Sequence, residues 1–541
     1  VLRPETSRIL PSPEQERAKD LFLTGEGLRI DAYAGAGKTT TLQLLSAATI
    51  RRGLYLAFNR SIAEEARGRF PHHVVSATSH SLAFRSVIRH FGFPEWKLTG
   101  SRTPNMLVEA FRMPDSVSFR SGFSLPKLSY CSILLEAVRR FLYSDEEGPQ
   151  TAHIPRYGAL EALSDEQFTQ FADQALDHVQ SVWTAMRHKA QGLPLGHDGY
   201  LKIWALSKPR SRVDYILVDE AQDLNPVLLG ALGRMECQVI YVGDPYQQIY
   251  EWRGAVNAMG LVYTPHHTLL SHSYRFGPAI AGAASAVIRK LGAKLPVRGV
   301  ASIESHLAEV RPQAILSRTN TGVIRNVLRS LAQGTACHVL GGTRSLELLL
   351  ADVTRIKHGQ VAQSPELLGF AAWKDVMSFS TQPEGEYLRG LVNLVQEHGV
   401  DRMLRALARC AASESGAQVI CSTTHKAKGR EWEYVQVDSD FLSAASPPDK
   451  RRRQESLAAE MRLLYVAITR AKHAVSLPKF ILGRFDLRLT TAKIIGATEA
   501  AGPDMEQHVS SDPALSGVVS PYHSPKQGES REMATLRRIL R

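Results

Sequence analysis

A lysine–threonine pair and a run of acids, each at the end of an apolar segment, are the residues whose types and spacing could do chemistry in this chain. Ala32-Tyr33-Ala34-Gly35-Ala36-Gly37-Lys38-Thr39 follows a strand-like run, Leu28 to Tyr33, and opens a segment with Leu42, Leu44 and Leu45 at helical spacing. Strand, small-residue loop ending Gly-Lys-Thr, then helix is the context of a phosphate-binding P-loop. Small side chains at Gly35, Ala36 and Gly37 let backbone N–H groups curl around β- and γ-phosphates, and the helix start near Thr40 adds its partial positive charge. Lys38 is expected to neutralise phosphate charge and Thr39 to ligate Mg²⁺. Ala32 stands where the usual pattern has its first glycine, so a plain glycine-rich turn is the competing reading.

Such a loop needs an acidic partner. Tyr215-Ile-Leu-Val218 is a continuous apolar run, as in a strand buried on both faces, and it ends in Asp219-Glu220-Ala-Gln-Asp223. We expect Asp219 at the metal and Glu220 as general base. The alternative is two solvated acids capping a helix that begins near Pro226. Past another strand, Gly243-Asp-Pro-Tyr-Gln247-Gln-Ile-Tyr250-Glu-Trp252-Arg253 mixes an amide, aromatic rings and an arginine. Gln247 can sense a γ-phosphate, Tyr250 and Trp252 offer flat faces to stacked bases, and Arg253 can pair with backbone phosphate. A buried aromatic cluster is the bland rival. Arg275 and Arg470 are candidate arginine fingers, whose guanidinium groups would stabilise charge on a transferring phosphoryl group.

The elements that must position these residues alternate strand and helix. Strands are expected at Leu28–Tyr33, Leu54–Phe58, Val74–Ala77, Val239–Val242, Ala314–Ser317, Val419–Ser422 and Tyr434–Val437, which implies parallel α/β sheets with right-handed crossovers. The expected organisation is a first core over 1–85 and 201–274, and a second over 275–340 and 413–495. An all-helical insertion at 86–200 interrupts the first, a helix-rich one at 341–412 the second, and 496–541 is expected to be a flexible tail. The 541 residues, 44% of them apolar, are enough for three or four ordinary domains. A net charge of +12 favours a polyanionic partner, and no apolar run approaches the roughly 20 residues that span a bilayer. Five cysteines without paired spacing suggest neither a zinc site nor a disulfide framework, and hence a reducing compartment. His72-His73 and His266-His267 read as turn residues, and Lys450-Arg451-Arg452-Arg453 as a charged surface loop, with a grip on duplex phosphate as the alternative.

With these residues in order along the chain, the sequence resembles superfamily 1A helicases of the UvrD/Rep/PcrA type. Pro13-Glu14-Gln15 resembles the Q motif, Ala34 to Thr40 motif I, Phe58-Asn59-Arg60 motif Ia, and Thr78-Ser-His80-Ser81 motif Ib. Val218 to Asp223 resembles motif II, the Gly243 loop motif III, Tyr274-Arg275 motif IV, Ser422 to Glu431 motif V, and Glu460 to Lys472 motif VI. Tyr200-Leu-Lys-Ile-Trp204-Ala-Leu-Ser-Lys208-Pro and Asp223-Leu-Asn225-Pro226 are most similar to the F-box DNA helicase branch and its bacterial relatives, although no F-box is evident before the first motif. The resemblance implies two RecA-like P-loop cores, each with a mainly helical insertion, and ATP with Mg²⁺ between them.

By position it implies Gln15 and Tyr274 around adenine, Lys38 and Thr39 on phosphate and metal, Glu431 near the ribose, and Gln247, Arg275 and Arg470 around the γ-phosphate. Phe58, Asn59, Arg60, His80, Tyr250, Trp252, Arg253, Thr424 and His425 would line a track for single-stranded DNA. Ala57 and Ser79 stand where relatives carry aromatics in motifs Ia and Ib, and the second insertion is short for the family. The activity implied is 3′-to-5′ translocation on single-stranded DNA with unwinding at ssDNA–dsDNA junctions, in DNA repair or recombination control. Expected alongside are a monomer or weak dimer, recombinase filaments as an optional partner, no membrane, and a nucleoid-associated cytoplasmic (bacterial) or nuclear (eukaryotic) location. Two alternatives stay open: a translocase that strips protein filaments without productive unwinding, and a DNA-binding regulator with a decayed ATPase. RNA as the strand also stays open.

Overall fold

The computed structural model describes residues 10–494 except 58, 121, 157–159, 162, 191, 250–257, 361, 368–369, 371, 383–384, 443–449 and 491–492. Two six-stranded parallel sheets organise it. The first comprises β1 (Leu28–Ala32), β2 (Gly53–Ala57), β3 (Val74–Thr78), β4 (Tyr215–Val218), β5 (Gln238–Gly243) and β6 (His266–Leu270). Their spatial order is β3-β2-β4-β5-β1-β6, and every pairing is parallel. Every residue of β2, β4 and β5 is buried, which is why those segments read as unbroken apolar runs rather than alternating ones.

The second sheet comprises β7 (His306–Leu307), β8 (Ala314–Ser317), β9 (Cys337–Val339), β10 (Val419–Thr423), β11 (Trp432–Val437) and β12 (Ala471–Ser476), in the order β7-β12-β11-β8-β10-β9. These two sheets are the RecA-like cores. His266 and His267 lie within β6 rather than in a turn, paired in the parallel ladder with Leu28 and Arg29 of β1, and their imidazoles reach the carboxylates of Glu26 and Asp31, both at 2.9 Å.

Between β3 and β4 the chain is mostly helical, with long helices at Lys127–Tyr143 and Asp165–Arg187. It is not all-helical: Ser116–Ser118 and Ser124–Pro126 pair antiparallel, a short hairpin with too little alternating apolar sequence to read as strands. These helices share one core with Leu54, Ile216 and Val218 of the first sheet. Between β9 and β10, helices Arg344–Lys357, Trp373–Phe379, Glu386–His398 and Val400–Ala408 pack with Val323, Val327 and Val419.

Within that cluster Cys337 and Cys421 meet on adjacent strands, and the Cys410 sulfur lies 4.0 Å from that of Cys337. Three cysteines that are scattered in sequence are therefore gathered in space, as free thiols. The basic run at Lys450 opens a helix, Lys450–Ile468, instead of a loop. Among the described residues no helix is long and apolar enough to cross a membrane.

Candidate functional site

The carboxyl ends of β1, β4 and β5 lie side by side at one edge of the first sheet, where ligands of open α/β sheets bind. β1 delivers the loop to helix Lys38–Ala47. Gly35 and Gly37 both take φ of +76°, the left-handed region that favours glycine. At Gly35 the fit is also steric, since a Cβ would meet Ser273 Oγ at 2.4 Å and Arg275 Cβ at 2.8 Å. Gly37 is the helix N-cap and offers no side-chain cap, which leaves the first N–H groups free for an anion.

Lys38, Thr39 and the two acids form one cluster around the buried Asp219. Lys38 Nζ lies 3.1 Å from Glu220 Oε1, and Thr39 Oγ1 donates to Asp219 Oδ2 at 3.1 Å. Tyr55 also donates to that oxygen, at 2.8 Å; it is a strand residue whose role no motif signalled. Burial pushes Asp219 up, reinforced by the Glu220 charge. Burial acts the same way on Glu220, but Lys38 and Lys428 outweigh it and hold that carboxyl at about 2. Burial likewise opposes the charge on Lys38, yet Glu220, Asp244 and Asp219 raise it. Glu220 itself sits at φ 51° and ψ 42°, strained for a non-glycine residue.

The opposite wall comes from the second core. Arg470 follows helix Lys450–Ile468 and is fully buried. It donates to Val466 O at 3.0 Å and Arg430 O at 3.2 Å, with Nη2 3.5 Å from Gln247 Oε1. Burial lowers it to about 9. Arg275 bonds Thr469 O at 2.9 Å and pairs with Glu431 at 2.6 Å, and Glu431 also faces Lys472 at 3.5 Å. Gln247, Arg275, Arg470 and Glu431 thus converge on the P-loop acids from chain segments up to 250 residues away from them.

At the outer edge, Gln15 completes a capping box with Ser12 and bonds Thr41 Oγ1 at 3.1 Å. A Cβ on Gly37 would lie 3.5 Å from Gln15 Nε2 and 3.9 Å from Tyr274 Cδ2, so all three border one spot. Tyr274 is half exposed there, held by its N–H to Gly35 O at 2.9 Å. Ala36 is buried in the loop, and Thr40 is exposed.

The remaining predicted residues lie elsewhere. Asn59 caps helix Arg60–Ala66 through Ile62 N at 2.9 Å, and Arg60 pairs with Glu64 at 2.7 Å. His80 is half-buried, 3.7 Å from Asp198. Thr424 is fully buried with its hydroxyl toward Ser317 O, and His425 beside it is half-buried. Phe58, Tyr250, Trp252 and Arg253 lie outside the described residues. Sequence reasoning missed Lys428, which crosses between the cores to Asp223 Oδ2 at 2.5 Å and Gln247 O at 2.9 Å. Its only signal was a place in the Ser422–Glu431 segment.

The UvrD/REP helicase N-terminal domain model matches residues 12–264, and the UvrD-like helicase C-terminal domain model matches residues 370–479. The chain is 29% identical over 505 residues to F-box DNA helicase 1 of Gallus gallus, which covers 86% of this chain and 49% of that protein. It is 27% identical over 514 residues to F-box DNA helicase protein 1 of Schizosaccharomyces pombe, covering 87% of this chain and 58% of that one. The chain spans about half the length of these curated relatives.

Proposed function

The chain belongs to the UvrD/Rep-type helicase family, and from that premise we propose that it is an ATP-driven DNA helicase that tracks 3′ to 5′ along single-stranded DNA. The observation that carries the proposal is the convergence of Lys38, Thr39, Asp219, Glu220 and Gln247 from one core with Arg275 and Arg470 from the other at a single cleft. The donor set fits a magnesium nucleotide: glycines in the left-handed region, a largely buried lysine, and a hydroxyl beside a buried carboxylate. Thr39 and Asp219 would hold Mg²⁺, which supplies charge neutralisation on the phosphates. ATP with Mg²⁺ is the cofactor pair of the UvrD-like family.

Lys38 leaves Glu220 for the phosphates, and Glu220, losing its main cationic partner, becomes a stronger base for the attacking water. Arg275 and Arg470 stabilise charge on the transferring group, and Gln247 reads its presence. Gln15 and Tyr274 flank the base edge, with Glu431 holding Arg275 and Lys472 in place. Closing and reopening of the cleft passes the strand along Asn59, Arg60, His80 and His425, with Thr424 fixing the turn beneath and Phe58, Tyr250, Trp252 and Arg253 stacking or pairing with it. The division into cores interrupted at 86–200 and 341–412, a nuclear location and a role in repair or recombination belong to the same proposal.

The test is unwinding of a 3′-tailed and a 5′-tailed duplex with ATP and Mg²⁺, using wild type and Glu220→Gln. Unwinding of the 3′-tailed substrate alone, lost in the variant, supports the proposal. ATP hydrolysis without strand separation would favour the filament-stripping translocase, and unwinding of the 5′-tailed duplex alone would reverse the polarity.

A further inference from the structure

We propose that Tyr465 is a positioning residue for ATP turnover, its hydroxyl tying the P-loop to the loop after β5 across the inter-core cleft and so fixing the orientation of Gln247. The proposal rests on the reading of the cleft as an ATPase site. Tyr465 stands on helix Lys450–Ile468 of the second core and is fully buried. Its hydroxyl accepts from Ala34 N–H at 3.0 Å and donates to Asp244 Oδ2 at 2.9 Å, so its proton and one of its lone pairs are both committed to the first core. Burial, with Asp244 beside it, pushes the phenol far above its ordinary range, which keeps it a donor.

Asp244 is fully buried as well. The oxygen that accepts from Tyr465 also accepts from Gln247 Nε2 at 2.8 Å, and the other oxygen takes Tyr246 N at 3.0 Å. At the far end of the Gln247 amide, Oε1 faces Arg470 Nη2 at 3.5 Å. The chain of polar groups therefore starts at Tyr465, passes through Asp244 and Gln247, and returns to Arg470. Its two ends belong to the second core and its middle to the first. Tyr246 and Tyr33 pack around it, with ring centroids 6.3 Å (Tyr246–Tyr465) and 6.0 Å (Tyr33–Tyr246) apart.

Separation of the cores breaks both bonds of the Tyr465 hydroxyl at once. It leaves a P-loop N–H without its partner and Asp244 Oδ2 with Gln247 alone, and it takes Arg470 from Gln247 Oε1, so that the amide is held from one end only. Closure restores all of them together, so the γ-phosphate sensor is set only when the second core is engaged.

Tyr465→Phe in the full chain tests this, because it keeps the ring and its edge contact with Tyr246 and removes only the hydroxyl. With saturating single-stranded DNA, kcat for ATP should fall about 10- to 100-fold, while KM for ATP and nucleotide-free DNA affinity stay within about twofold. A non-hydrolysable ATP analogue should change DNA affinity in wild type and not in the variant. Asp244→Asn gives a second route, and the double variant should be no slower than the slower single one. An unchanged kcat in Tyr465→Phe beside an active wild type, or multiplicative effects in the double variant, would overturn the relay alone. Absence of hydrolysis by wild type would overturn both the relay and the reading it rests on.

Discussion

The proposed nucleotide cleft and the proposed strand track lie at neighbouring loops of the same sheets, yet they hold their polar groups in opposite ways. In the cleft, Asp219, Asp244, Gln247 and Arg470 are buried, and each is fixed by partners from distant segments. Along the track, Asn59 is committed to capping its own helix, Arg60 has a 90% exposed side chain held by a partner one turn away, and His80 rests loosely on Asp198. The contrast matches the two tasks. Phosphoryl transfer needs groups that do not reorganise, since fixed dipoles and charges in a dry site do the stabilising. A strand that must move on needs contacts that are individually weak, screened by salt and easily exchanged.

Four experiments can break or sharpen that contrast. Removing the phosphate contact with Lys38→Ala should lower ATP turnover by about 10³-fold or more, while DNA affinity without nucleotide stays within a few-fold. A comparable loss of DNA binding would erase the separation between cleft and track. Arg470→Lys keeps a charge and loses the planar fork that reaches Val466, Arg430 and Gln247 together; turnover should drop about 100-fold with a small change in melting temperature.

A pH profile probes the tie between the cores. Burial pushes Asp223 up to about 6 despite Lys428 beside it, while Glu220 stays ionised far below that. Above this value Asp223 is a carboxylate that holds Lys428; as pH falls through it, the carboxyl takes a proton and the tie loosens. DNA-stimulated turnover should therefore fall about tenfold on an acid limb between about pH 7 and 5, and Asp223→Asn should flatten the profile at the lower rate. A limb that survives in Asp223→Asn would assign it to another group.

The smallest effects belong to the track. His80→Ala should weaken single-stranded DNA binding by about tenfold, and Arg60→Ala by only about twofold with a shallower salt dependence, both leaving turnover at saturating DNA nearly unchanged. A large turnover defect in either would show that the track is as rigidly coupled as the cleft.

What could be read ahead of the structure follows the same divide between local and distant contacts. The P-loop was legible because strand, glycine turn and helix follow within a dozen residues, and the acids after β4 because they end a continuous apolar run, whereas Arg275 and Arg470 were singled out only by the order of motifs along the chain. The parallel sheets were legible from buried runs such as Tyr215–Val218. Tyr465 and Asp244 lay inside recognised segments, but their bond spans 221 residues and carries no spacing signal. The same holds for Lys428 on Asp223, 205 residues apart, and for the meeting of Cys337 with Cys410. The hairpin at Ser116–Pro126 was missed because three-residue strands leave no periodicity, and the two histidines in β6 because their carboxylate partners sit on other segments.

The most direct measurement is the steady-state rate of ATP hydrolysis against single-stranded DNA concentration, for wild type and Glu220→Gln, with DNA affinity measured in parallel. The account predicts strong stimulation by DNA in wild type, and loss of about 10³-fold in the variant with its DNA affinity retained. Hydrolysis that ignores DNA, or that persists in Glu220→Gln, would contradict it.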